Sequence, residues 1–116
     1  MNNKYVVKIF FLVSLLFIVG CTTQSNSFLE FNECLAEKGV VIYGSEWCPA
    51  CQSLVELLGG NQAIQPIYVE CTNNQQRCTE ETKTNYIPEI QINGEIYEGA
   101  RTIQALASIT GCEIIN

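Results

Sequence analysis

The chain has 116 residues, a length that fits one ordinary domain, and it carries seven cysteines, no histidine and no aspartate. Without histidine there is no Ser-His-Asp triad, no Cys-His protease and no HExxH zinc enzyme. Twelve glutamates against six lysines and arginines give a net charge of −6 with no basic stretch, a poor match for nucleic acid.

In chain order, Lys4 and Lys8 precede an apolar run from Ile9 to Val19. That run is shorter than the ~20 residues a spanning helix needs, and it fits the h-region of a secretory signal peptide. It closes on Ile18-Val19-Gly20-Cys21, which resembles the lipobox of bacterial lipoproteins. The resemblance implies cleavage before Cys21 and lipid on its sulfur, enough acyl chain for stable attachment to the membrane. Residues 1–20 are therefore expected to be a lipoprotein signal peptide, and 21–27 the lipidated Cys21 with a flexible tether, because Thr22 to Ser27 has no apolar surface to bury. Losing Lys4 and Lys8 leaves four basic residues against twelve glutamates, a charge of −8. Assigning Cys21 to lipid leaves six cysteines, an even number suited to disulfides outside the cytoplasm.

The folded domain is expected over residues 28–116. Phe28, Phe31 and Leu35, with Leu29 and Cys34 beside them, recur at helical spacing until Gly39. Val40-Val41-Ile42-Tyr43 is a continuous β-branched and aromatic run, which predicts a strand buried on both faces. Cys51, Leu54, Val55 and Leu58 then mark one stripe of an amphipathic helix that opens at Pro49 and closes at Gly59-Gly60. Ile67, Val69 and Cys71 alternate as in a strand, and a short helix is expected near Thr79 to Asn85. Ile90 and Ile92, then Asn93-Gly94, then Ile96 and Tyr97 spell a β-hairpin. Thr102 caps a last helix with Ile103, Leu106, Ala107 and Ile109, ended by Gly111. Glu89, Glu95 and Glu98 flank the hairpin strands and read as exposed, solvating acid.

Cys48-Pro49-Ala50-Cys51 opens a helix directly after a buried strand. A helix N-terminus offers free N–H groups and the positive end of the macrodipole, which favour a thiolate on Cys48. Cys51 falls on the buried stripe. One accessible and one shielded sulfur is the asymmetry that thiol–disulfide exchange uses: Cys48 attacks and Cys51 resolves. Trp47 stands either as an apolar wall beside the pair or as a core aromatic. A zinc site would have to draw on Cys48, Cys51, Cys71 and Cys78, but the spacing between the last two is wider than usual.

Trp47-Cys48-Pro49-Ala50-Cys51 after a strand, with Ile87-Pro88 before a hairpin and a final helix, resembles the thioredoxin superfamily across most of residues 28–116. Tyr43-Gly44, Tyr68-Val69-Glu70-Cys71 and Ile92-Asn93-Gly94 are similar, more narrowly, to the thioredoxin-like domain associated with vitamin K epoxide reductase homologues. The resemblance implies an α/β thioredoxin-like fold, a central mixed sheet of about four strands flanked by helices. It also implies a cis Pro88 against the active cysteines, and no cofactor. The substrate-binding surface is expected at Trp47, Ile87 and Pro88. Two departures stand out. The buried aspartate of thioredoxin is replaced by Ile42, and Ala50 stands where strongly oxidising relatives carry histidine.

With Cys48 and Cys51 as the redox pair, Cys34, Cys71, Cys78 and Cys112 allow three pairings. Cys71–Cys78 closes a local loop and Cys34–Cys112 ties the ends of the domain, so both are expected as structural disulfides; Cys71–Cys78 as a second redox pair is the alternative. The sequence thus points to a lipid-anchored, extracytoplasmic thiol–disulfide oxidoreductase. Its expected partners are exported cysteine-containing proteins and a membrane redox protein of the vitamin K epoxide reductase type. The competing reading is a non-catalytic binding lipoprotein on the same scaffold, metal-carrying or disulfide-stapled. Oxidation, reduction and isomerisation are all open to the pair at this point.

Overall fold

The computed structural model describes residues 24–115, so the expected signal peptide and Cys21 lie outside the described residues. The element order is α1 (Gln24–Glu37), β1 (Val40–Gly44), α2 (Pro49–Leu57), β2 (Tyr68–Glu70), α3 (Gln75–Glu81), β3 (Glu89–Ile92), β4 (Glu95–Ile96) and α4 (Ile103–Thr110). The four strands form one sheet in the order β2-β1-β3-β4. β1 pairs parallel with β2 through the α2 crossover, and antiparallel with β3, which pairs antiparallel with β4. The chain is therefore a small α/β domain with a mixed sheet and flanking helices, compatible with a thioredoxin-like fold.

Strand alternation divides the sheet into two unlike faces. Val40 and Ile42 of β1 stand opposite Ile92 and Ile90 of β3. On this face Phe31 and Leu35 of α1, Leu54 and Val55 of α2, and Leu106 of α4 complete the main core. Val41 and Tyr43 face the other way, opposite Gln91 and Glu89. There only a small cluster of Tyr43, Val69 and Cys78 forms, edged by Val41 and Cys71.

α1 and α2 are joined by a buried side chain. The Asn32 amide donates to the carbonyls of Leu58 and Ala63 at 2.9 and 2.7 Å, satisfying groups that the end of a helix leaves open. α4 starts on Thr102, whose Oγ1 accepts from the Ala105 N–H, and stops at Gly111 in the left-handed region. The hairpin turns through Asn93 and Gly94, both at positive φ, as the Asn-Gly pair predicts.

Three details differ from the sequence reading. α1 begins at Gln24, so the last part of the expected tether is helical, an extension of the turn that Phe28 and Phe31 anchor. The short helix spans Gln75–Glu81 and is over before Asn85. Its i,i+4 pairs, Gln76 with Glu80 and Arg77 with Glu81, support the earlier frame, while β-branched Thr82 and Thr84 favour extended backbone. Glu89 is not surface acid: it is 3% exposed, on an interior strand and under the 82–88 segment.

Candidate functional site

The site lies at the carboxyl end of β1, where the chain turns through Ser45-Glu46-Trp47 into α2. Cys48 is the N-cap of that helix and Pro49 occupies its first turn, where a missing N–H leaves no bond unmade. The Cys48 sulfur accepts the Cys51 backbone N–H at 3.3 Å, and its S–H donates to the Ile87 carbonyl at 3.8 Å. Both cysteines are free thiols. Cys48 is 7% exposed and Cys51 is 0% exposed. The asymmetry between them is narrower than the sequence implies, because Ile87 lies over the outer sulfur.

Burial first, and contact with the Cys48 sulfur second, push the Cys51 thiol well above the ordinary range; a Ser45 backbone contact opposes them. Cys51 therefore stays protonated at neutral pH until something displaces that balance. A Cβ added at Gly44 would collide with the Tyr68 hydroxyl and come 3.1 Å from Cys51 Sγ, so the close approach of these groups requires glycine.

The Ile87–Pro88 bond is cis. Of the three residues expected to bind substrate, Trp47 projects into solvent at 71% exposure, Ile87 is half-buried and Pro88 is buried. Trp47 is thus no core aromatic, and Pro88, though buried, reaches the surface through the groove next to it. This open groove of about 300 Å³ is lined by Tyr86, Pro88, Ile96, Tyr97 and Arg101. Arg101 was not legible as a site residue: its Nη2 donates to the Pro88 carbonyl at 3.0 Å from thirteen positions away, and no local pattern announces that reach.

Cys34 is bonded to Cys112 and Cys71 to Cys78. The second bridge commits two of the four sulfurs a zinc site would need. Among the described residues, no group of three or more metal-ligating side chains gathers.

Behind the 87–88 segment lies a polar cluster that the sequence reading missed. The Glu89 carboxylate accepts from the backbone N–H groups of Lys83 and Thr84, from Thr84 Oγ1 and from Gln91 Nε2. Gln91 also donates to the Glu81 carbonyl, and the Tyr43 hydroxyl donates to the Glu81 carboxylate at 2.7 Å. Burial above all, with the Glu81 contact, pushes Tyr43 up to about 12, so it remains a donor. This network fastens the loop that carries Ile87. The available signal was register: alternation with Ile90 puts Glu89 and Gln91 together on one face of a strand next to β1.

No protein-family model matches the chain. Among the described residues, no helix is long and apolar enough to cross a membrane.

Proposed function

We propose that the chain is a thioredoxin-like thiol–disulfide oxidoreductase, held outside the cytoplasmic membrane by lipid on Cys21. The observation that carries the reading is the Cys48–Cys51 pair. Two free thiols share one helix N-terminus, the outer sulfur under Ile87 and the inner one fully buried, while the four other described cysteines are bridged.

The chemistry follows from position. The Cys48 thiolate attacks a disulfide of an exported protein, one substrate sulfur leaves as thiolate, and a mixed disulfide forms. Cys51 then loses its proton and attacks the Cys48 sulfur, expelling the second substrate thiolate. The substrate gains two electrons and the pair becomes a disulfide. Run backwards, the same steps oxidise a dithiol. A membrane redox protein of the vitamin K epoxide reductase type is the partner proposed to restore the pair, and Trp47 with the Tyr86 side of the groove is the surface proposed to meet polypeptide.

The test uses both cysteines. Cys51→Ser should accumulate mixed disulfides with exported proteins, because Cys48 still attacks and nothing internal releases the product. Cys48→Ser should accumulate few and should lose insulin reduction. In the reduced native chain, iodoacetamide should modify Cys48 well before Cys51. Exchange activity that survives in Cys48→Ser would remove the proposal.

A further inference from the structure

Among the described residues, two buried side-chain polar atoms lack a hydrogen-bond partner, Asn32 Oδ1 and Tyr68 Oη. Asn32 is already engaged through its amide. The Tyr68 hydroxyl makes no bond at all, although a buried tyrosine O–H ordinarily finds an acceptor. Phenylalanine would fill the same space without an orphaned polar group.

The location of that hydroxyl gives it a use. Tyr68 of β2 pairs with Ile42, two residues before Gly44 on the same sheet face. From there its Oη reaches the point above Gly44 that Cys51 Sγ approaches from α2. No bond joins the hydroxyl to Cys51 in the reduced state, where the Cys51 thiol contacts the Cys48 sulfur instead, and an uncharged thiol is in any case a weak acceptor. A thiolate is a strong acceptor, and the resolving step makes Cys51 one.

The charged groups around the hydroxyl define which role it can play. Burial first, then the charges of Cys51, Glu70 and Cys48, hold it protonated well above the ordinary tyrosine range. It is a donor and never a base. Glu70, on the same strand, and Cys48, at the helix N-terminus, both oppose ionisation of Cys51, so a donor at this sulfur meets a need that its neighbours create.

We infer that Tyr68 is a positioning residue for the resolving step, its O–H turning onto Cys51 Sγ as that sulfur ionises and holding it while it attacks Cys48. The inference rests on the exchange reading above. Cys51 gives its proton to solvent, the Cys51–Cys48 bond forms, and the bond from Cys48 to substrate breaks. The departing thiolate takes a proton from solvent, and Tyr68 keeps its own throughout.

The experiment separates the two steps in one trace. The full chain with Cys21→Ala, its redox pair reduced and its two bridges intact, is mixed with one equivalent of dithiobis(nitrobenzoate). Attack by Cys48 releases the first thionitrobenzoate and resolution by Cys51 releases the second. Tyr68→Phe should leave the first release within about twofold and slow the second about tenfold at neutral pH, the loss of one hydrogen bond to a charged group. The pH profile of the second release should move upward, while the denaturant midpoint stays level or rises. A merely structural tyrosine would leave that profile in place. Incorporating 3-fluorotyrosine, a stronger donor of the same shape, should quicken the second release. If neither replacement moves the rate or pH profile of that release, the role assigned to Tyr68 is overturned and the exchange reading stands. If the native pair releases no thionitrobenzoate, the exchange reading falls and the inference with it.

Discussion

Glu89 shows what a single buried carboxylate does for the site. Burial raises its pKa, but donation from Thr84, Gln91 and the Lys83 and Thr84 backbone more than offsets this, and the group lies below the ordinary carboxylate value. A group depressed on folding stabilises fully above its unfolded value of ~4.3, and the contribution is lost as pH falls through the folded value. The denaturant midpoint of the native chain should therefore hold from neutral pH to about pH 5 and drop below about pH 4. Glu89→Gln turns a donor toward donors and should cost about 2–3 kcal/mol at pH 7, with a flatter acid limb. Glu81 shifts in the same direction, with the Tyr43 hydrogen bond as the chief cause, but it is exposed and contributes little after solvent screening. Acid-loss curves that coincide for native and Glu89→Gln would place the titration elsewhere. Loosening this carboxylate also frees Lys83 and Thr84, and with them the segment that lays Ile87 on Cys48.

Among the elements, the two disulfides differ chiefly in the length of chain they close. Cys34–Cys112 links α1 to the residues after α4 across 78 positions, whereas Cys71–Cys78 spans 7 and tethers α3 to the end of β2. In the chain-entropy account, removing the first with paired alanines should cost about 4–5 kcal/mol and the second about 2–3. Guanidinium melts of the two double variants measure this, and equal losses would mean that native packing, rather than chain closure, sets the contribution. The order of elements was legible because each carries an undiluted period: Cys51, Leu54, Val55 and Leu58 on a helix, Ile90 and Ile92 on a strand, Asn93-Gly94 between strands. The Cys48-x-x-Cys51 half of the site was legible for the same reason, since the strand before it and the stripe after it fix where the helix starts. The bounds of α3 were not, because a seven-residue polar helix has no apolar stripe and depends on local charge pairs. The Glu89 cluster and Tyr68 were hidden differently. Burial of a polar side chain is decided by partners from other elements, and residue type alone assigns Glu89 to solvent.

At the scale of the molecule, the two faces of the sheet divide the labour. Three helices and nearly all the large apolar side chains cover one face, while the other is closed by α3, a disulfide and a hydrogen-bonded loop. The Cys48–Cys51 pair sits where the two arrangements meet, its helix supplied by the apolar side and its covering segment by the polar one. The chain has a single tryptophan, and it is the solvent-facing residue beside Cys48. All indole emission from the protein therefore comes from one reporter adjacent to the sulfur proposed to change oxidation state. Emission should step as the pair passes between dithiol and disulfide in a graded glutathione buffer, with a midpoint equal to that from thiol labelling. Cys48→Ser should show no step. A flat native signal would mean that the indole does not sense the sulfur beside it. With the step present, the molecule carries its own optical electrode, and its potential can be read without a dye, a substrate or a partner.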